Sequence, residues 1–195
     1  MYISTALSKS CFYHICALRH IRSNLTFDCS KNNDCSLVGF CLDYANSTLA
    51  GISVKNVSRL QRLQRTLAHV VKCQRRRISI FKTLQELRWL SIKWRIDYKV
   101  ATLTCKLLVS GEPTYLKSRF KSKIFRRALW SSADDRQLER CSSRTKIGSR
   151  AFRCAAPAIW NCLPYDIRAA TYVSIFQSRL KMHYFKLPFN ILLWF

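Results

Sequence analysis

Apolar residues recur every three or four positions through the first seventy residues of the chain. This spacing predicts a first amphipathic helix over residues 7–25 and a second over residues 38–52. A third helix is predicted over residues 57–71, with Ser53 as a candidate N-terminal cap. Three consecutive amphipathic helices predict a small bundle at this end of the chain.

Helical spacing continues more irregularly further along. A short amphipathic piece is expected at residues 81–87 and a longer helix at residues 93–109. The Ser110-Gly111 step followed by Pro113 should end the longer helix, because glycine closes helices and proline cannot continue them. Residues 128–146 are polar and are predicted to be irregular.

Two further helices are predicted near the end, at residues 150–160 and 173–185, and no run of alternating residues indicates a strand. The expected fold class is therefore all-α, a helical bundle with a basic, partly irregular C-terminal extension. The predicted organisation is a three-helix bundle (1–78), a helical connection (79–127), a polar loop (128–149), a C-terminal helical region (150–186) and a tail (187–195).

The net charge indicates a binding protein rather than a generic helical bundle. The chain carries 34 Lys and Arg against 10 Asp and Glu, for a formal net charge of +24, while 49% of its residues are hydrophobic. That apolar fraction is too high for a disordered basic tail. A folded protein with such a field suits nucleic acid, an anionic membrane or an acidic protein. Nucleic acid is favoured, because duplex DNA carries one charge per ~1.7 Å of axis.

Two clusters of basic residues are the candidate nucleic-acid-binding sites, and neither contains an acidic residue. The competing interpretation of each is an ordinary solvated face. The first basic group is Arg59, Arg62, Arg65, Lys72, Arg75, Arg76 and Arg77. The second basic group is Lys117, Arg119, Lys121, Lys123, Arg126 and Arg127. A weaker third group, for which the two interpretations are balanced, is Arg144, Lys146, Arg150 and Arg153.

Catalytic chemistry finds little support in the sequence. Two-metal phosphoryl transfer needs converging carboxylates. The one adjacent pair, Asp134-Asp135, lacks the apolar flanks that hold aspartates rigid in a polymerase hairpin, and Ser132 stands where a tyrosine would be. With four glycines and no Gly-X-Ser-X-Gly elbow, neither a phosphate-cradling loop nor a serine nucleophile is indicated. We therefore predict no catalytic residue and no cofactor.

The ten cysteines leave two alternatives, a disulfide framework or reduced thiols. The first residues lack a basic stretch before a clean apolar run, so we expect no signal peptide. No stretch reaches the ~18 uninterrupted apolar residues of a membrane span, so we expect no transmembrane segment. We therefore expect an intracellular protein, in the nucleus or cytoplasm, with mostly buried thiols. Cys11, His14, Cys16 and His20 would point in divergent directions around a helix, so no metal site is predicted.

Several strings, in this order, resemble a known family. They are a Leu-Asp-Tyr-X-Asn helix at residues 42–46, a Leu-Gln-Arg-X-Gln helix at 60–64, a Leu-X-Trp-Leu turn and helix at 87–96, and an Arg-Ala-Phe block with Ala-Ala-Pro and Trp-Asn-X-Leu-Pro at 150–164. Together they resemble the segment that follows the palm in jockey-like (LINE-type) non-LTR retrotransposon reverse transcriptases. The resemblance covers about residues 5–186.

The resemblance implies a helical thumb and its continuation, which hold the template–product duplex by its backbone. It also implies that the aspartates of RNA-directed DNA polymerase activity belong to an upstream palm, so that this chain is a fragment, inactive alone. Expected partners are RNA or DNA, bound with low sequence specificity, and an intact reverse transcriptase. The alternative is a standalone basic adaptor or a membrane-surface protein, suggested by the Arg-rich helix at 57–71 and the apolar tail.

Overall fold

The computed structural model describes residues 2–27, 29, 39–43, 49–73, 80–123 and 136–187. These residues are mostly helical and contain no extended strand, which confirms the all-α prediction. They fall into two compact units. We call residues 1–46, 52–95 and 187–195 the N-terminal unit, and residues 47–51 and 96–186 the C-terminal unit.

The N-terminal unit is built around two long helices that pack against each other. Cys11, Ile15 and Leu18 are buried on the first helix, while Leu60 and Leu67 are buried on the second. Each such leucine or isoleucine contributes about 1.5–3 kcal/mol by leaving water. The helices of the unit are α1 (Tyr2–Ile21), a 3₁₀ turn (Arg22–Asn24), α2 (Phe40–Asp43), α3 (Val54–Lys72), α4 (Ile80–Glu86) and the start of α5 (Ile92–Ser110).

Two buried glutamines on α3 hold the segment that leads into α5. The Gln61 side-chain amide donates to Oε1 of Gln64 at 2.9 Å, and the Gln64 amide donates to the Leu90 carbonyl at 2.8 Å. The backbone N–H of Ile92 donates to Oε1 of Gln61 at 2.9 Å. These bonds satisfy polar groups that would be costly to bury alone, and they fix the turn after α4 onto α3.

The C-terminal unit packs around an aromatic pair. The rings of Trp160 and Phe176 stack with centroids 5.5 Å apart, and Leu180 is buried in the same unit. The indole N–H of Trp160 donates to the Arg136 carbonyl at 2.8 Å, so its one polar atom is satisfied. The remaining helices are α6 (Thr114–Lys117), a 3₁₀ turn (Gly148–Arg150), α7 (Phe152–Asn161), α8 (Tyr165–Arg168) and α9 (Val173–Lys186).

A short antiparallel contact joins the two ends of the basic, irregular stretch. Ser122 and Leu138 form a bridge, flanked by backbone bonds between Lys123 N–H and the Gln137 carbonyl at 2.8 Å and between Glu139 N–H and the Lys121 carbonyl at 2.8 Å. The Asn161 side chain clamps Leu138 by accepting from its N–H at 2.9 Å and donating to its carbonyl at 2.7 Å. The described part of the predicted irregular segment, residues 136–146, indeed contains no helix.

Most predicted helices are confirmed, and one is wrong in its extent. The third helix follows Ser53 as expected, although the Ser53 hydroxyl makes no capping bond. The helix after Ser91 ends before Gly111, whose φ of 76° is the left-handed conformation that suits glycine. The predicted second helix does not reach residue 52, because residues 49–51 form a turn in which Gly51 has a φ of 68°. The short helices α6 and α8 were not predicted.

Over the described parts of the chain, no helix combines the length and the apolar character that crossing a membrane requires.

Candidate functional site

The first basic group lies on α3 and the residues that follow it. Arg59 and Arg62 are exposed and Arg65 is half-buried. Lys72 forms an ion pair with Glu86 and lies 5.3 Å from the ring centre of Phe27. Its charge is thus partly neutralised inside the N-terminal unit. The other three members, at residues 75–77, lie outside the described residues.

The second basic group lies at the end of α6 and along the antiparallel bridge. Lys117, Arg119, Lys121 and Lys123 are all exposed. Because Lys121 and Lys123 flank Ser122 of the bridge, their side chains leave the same face of an extended segment. The last two members, at residues 126 and 127, lie outside the described residues, as does the Asp134-Asp135 pair. In the third group Arg144, Lys146 and Arg153 are exposed and Arg150 is half-buried.

A cleft opens beside the first basic group, inside the N-terminal unit. One wall is the last turn of α1 and the 3₁₀ turn, and the other is α3. On α3 the spacing of Arg62, Arg65 and His69 places all three on one side of the helix. The cleft encloses about 720 Å³. We call it the arginine cleft, and it is lined by Arg19, Arg22, Ser23, Arg62, Arg65, Thr66, His69, Val70 and Cys73.

Arg22 is held rigidly at the edge of this cleft by backbone carbonyls. Its Nε donates to the carbonyls of Val70 and Val71, both at 3.1 Å, and its Nη2 donates to Val71 at 2.7 Å. Its Nη1 donates to the Leu25 carbonyl at 2.7 Å. The carbonyls at the end of α3 lack partners within the helix, and the end of a helix favours a cation. Arg22 therefore fastens the turn after α1 to the end of α3.

The arginine cleft is strongly electropositive. Arg19, Arg22, Arg62 and Arg65 all line it, and none of the described residues that line it is acidic. Burial, and then the positive charge of Arg62, lowers the pKa of Arg65. Burial and the neighbouring like charge both disfavour the charged form of this side chain.

The described residues form no metal site, and their cysteines are free thiols. No group of three or more His, Cys, Asp or Glu residues there could hold a metal ion. The nine described cysteines are free thiols, as expected. The expectation that most are buried is wrong, since only Cys11 and Cys105 are buried and the others are half-buried or exposed. Two of these thiols, Cys73 and Cys162, lie at the C-terminal caps of α3 and α7.

One pair of cysteines has distinctive electrostatics. A hydrogen bond from Cys154, with a further one from Arg153, lowers the pKa of the half-buried Cys141 thiol. The hydrogen bond between the two thiols raises the pKa of Cys154. By contrast, burial and the neighbouring Cys41 raise the pKa of Cys11 to about 11, and burial raises that of Cys105 to about 11. Cys141 is therefore better able to form a thiolate than Cys11, Cys105 or Cys154.

Tryptophans were considered as platforms for stacking on bases. Trp89 and Trp160 are buried in their units, so they belong to the core. Trp94 is half-buried, with the Lys93 ammonium 5.1 Å from its ring centre. Of these three tryptophans, Trp94 is therefore the one whose ring can stack on a base.

The binding residues predicted from the sequence include the arginines of one wall of the arginine cleft and omit those of the other. Arg62 and Arg65 were predicted binding residues, but Arg19 and Arg22 were not. Their signal was present as two basic residues three positions apart at the end of the first predicted helix. What could not be read from the sequence is which face of α3 this pair meets.

Fold and site together define the class of protein as an all-α, strongly basic protein with an arginine-lined cleft. Comparison with protein-family models found no match, and comparisons with curated proteins and with solved structures found none either.

Proposed function

We propose that this protein is a non-catalytic module that binds the sugar–phosphate backbone of RNA or DNA. The observation that carries the proposal is the arginine cleft together with the exposed Arg59 beside it on α3. A guanidinium presents a planar fork of N–H donors that matches two phosphate oxygens, so arginine is suited to this ligand. Side chains that contact phosphates carry no sequence information, so binding should be nearly independent of sequence.

The protein we propose as its source is a jockey-like non-LTR retrotransposon reverse transcriptase. Support comes from the ordered strings at residues 42–46, 60–64, 87–96 and 150–164, and from the basic face of a helical N-terminal unit, which suits a polymerase thumb. In this proposal the chain grips the primer–template within the nucleus or cytoplasm, next to a palm that supplies the RNA-directed DNA polymerase activity. An intact reverse transcriptase would be its protein partner.

The test is the salt dependence of binding, measured by fluorescence anisotropy with two duplexes of unrelated sequence. Six phosphate contacts should give a slope of about −5 in log K against log salt, at about −0.9 per contact. The two duplexes should bind within about threefold of each other, because backbone contacts do not distinguish bases. A flat salt dependence would rule the proposal out.

A second candidate is a membrane-surface protein. It is favoured by the exposed aromatic residues of α1 and α2, among them Phe12, Tyr13 and Phe40, in a strongly basic chain. Sedimentation with vesicles containing phosphatidylserine tests it. Capture by these vesicles without binding to either duplex would replace the first proposal with this one.

A further inference from the structure

The arginine cleft has a property that the basic character of α3 does not explain. Half of its arginines come from a different helix, because Arg19 and Arg22 reach it from the end of α1 and the turn after it. A merely solvated basic face would spread its charges outward to reduce repulsion. Here two helices bring four guanidinium groups to the walls of one concavity, with no acidic residue among the described lining.

We propose that the arginine cleft is a discrete site for one phosphate group of the bound strand, with Arg19 and Arg22 forming one wall and Arg62 and Arg65 the other. This inference rests on the proposed function and assigns part of the phosphate binding to this one cleft. It predicts that one cleft contributes more to affinity than equal charge elsewhere on the same helices.

Preorganisation supports a built site. The Arg22 guanidinium is fixed by the carbonyls of Leu25, Val70 and Val71, which leave one N–H on Nη1 and one on Nη2 outside those bonds. A cation that is already ordered loses little conformational entropy when its ligand arrives. The carbonyls orient this side chain without neutralising it, and it lines the cleft.

The chemistry of the walls favours phosphate over carboxylate. A phosphate offers several oxygens at once, so it can accept bidentate bonds from more than one guanidinium, whereas a carboxylate offers two oxygens. The enclosed volume of about 720 Å³ lies within the usual range for small-molecule sites, so a phosphate can enter with its attached nucleotide. The hydroxyl groups of Ser23 and Thr66 also line the cleft, and they already donate within the protein, to Asn24 Oδ1 at 3.3 Å and to the Arg62 carbonyl at 3.0 Å.

Two sources share this chemistry, a terminal phosphomonoester and an internal phosphodiester. A terminal phosphate carries about −1.5 to −2 charges at neutral pH, judged by phosphorylated side chains, whereas an internal diester carries one. Single-stranded oligonucleotides of one sequence, with and without a 5′-phosphate, distinguish the two.

The experiment compares two double variants that each remove two positive charges, one from α1 and one from α3. The cleft variant is Arg19→Gln with Arg62→Gln, both exposed in the free protein. The matched control is Lys9→Gln with Lys55→Gln, which are exposed on the same two helices but do not line the cleft. Dissociation constants are measured for both oligonucleotides over a range of salt.

The cleft variant should bind at least about tenfold more weakly and lose about 1.4 from its salt slope, for two contacts at about 0.7 each on a single strand. The control should lose less than about threefold, because its charges act only through a screened field. Arg19→Gln alone should weaken binding about threefold, and this mildest change keeps the test readable if the double variant unfolds.

Each outcome separates the two proposals. If the wild-type protein binds neither these oligonucleotides nor the two duplexes, the proposed function fails, whereas binding of the duplexes alone overturns the discrete site for a strand phosphate and leaves nucleic-acid binding standing. If it binds and both double variants weaken it equally, the discrete site is wrong while nucleic-acid binding stands. A preference for the phosphorylated strand that disappears in the cleft variant assigns the site to a terminal phosphate. Equal binding of both strands, weakened in the cleft variant, assigns it to an internal one.

Discussion

The two units of this protein use the same side chain in opposite ways. In the N-terminal unit Arg19 and Arg62 are exposed at the walls of the arginine cleft. In the C-terminal unit Arg168 is only 5% exposed, and its Nε donates to the Leu163 carbonyl at 2.9 Å. Arg136 in turn donates to the Arg168 carbonyl at 3.1 Å. A high count of basic residues therefore does not by itself locate a binding surface.

Arg22 shares features of both exposed Arg19 and buried Arg168. It makes backbone bonds like Arg168, yet it lines the cleft like Arg19. The difference lies in where the bonded carbonyls are. The Leu163 carbonyl lies in the C-terminal core, whereas the carbonyls at the end of α3 lie beside an open concavity. Hydrogen bonds to backbone carbonyls therefore hold Arg168 inside a core and Arg22 at the wall of a cleft.

The largest expected effect tests the structural role of Arg168. Arg168→Gln should lower the free energy of unfolding by about 2–4 kcal/mol, because it leaves the Leu163 carbonyl without its charged donor inside the core. Urea denaturation measures this loss. Arg144→Gln, an exposed position in the same unit, should change stability by less than about 0.5 kcal/mol. Equal stability of the two variants would mean that the buried arginine is not a structural element.

A smaller effect is expected for Arg22, and it should appear in two measurements. Arg22→Gln removes donors to Leu25, Val70 and Val71, so we expect a loss of about 1–2 kcal/mol in unfolding free energy. It should also weaken oligonucleotide binding under conditions where the variant remains folded. A stability loss with unchanged binding would place Arg22 with Arg168 as purely structural.

Thiol reactivity should differ between half-buried Cys141 and buried Cys11. Cys141 has a lowered pKa, with a hydrogen bond from Cys154 as the first cause, whereas the pKa of buried Cys11 is raised to about 11. Because the thiolate is the nucleophile, Cys141 should be alkylated by iodoacetamide before Cys11 at pH 8. Peptide mapping by mass spectrometry over time gives the order. Faster labelling of Cys11 would contradict the burial of α1 against its neighbours.

The mildest prediction concerns alkaline pH. The pKa of Cys11 and that of Cys105 are each raised by burial from 9.0 to about 11, so between these values the unfolded chain has released protons that the folded one retains. Stability contributed by these neutral thiols is complete below pH 9 and should decline as the pH rises towards 11. Melting temperatures at pH 8 and pH 10 test this, with Cys105→Ala as a control whose decline should be shallower.

Local patterns were sufficient for the long helices. The three- and four-residue spacing of apolar side chains predicted α1, α3, α5, α7 and α9. Gly111 and Pro113 marked the end of α5. Such signals act within one or two turns of chain, so they can be read in order along the sequence. The turn at residues 49–51 was missed because the apolar spacing of Leu49 and Ile52 imitates a helix, whereas these residues form a turn with a left-handed Gly51.

By itself the sequence determined that this is a basic, helical protein, and that Arg62 and Arg65 share a face of one helix. Only the tertiary structure decided that Arg19 and Arg22 meet that face, that Gln61 and Gln64 are buried, and that Arg168 belongs to a core. The physical reason is that charge and periodicity are summed locally along the chain. A cleft or a buried polar bond depends on which distant residues the packing of α1 on α3, or of α7 near α9, brings together.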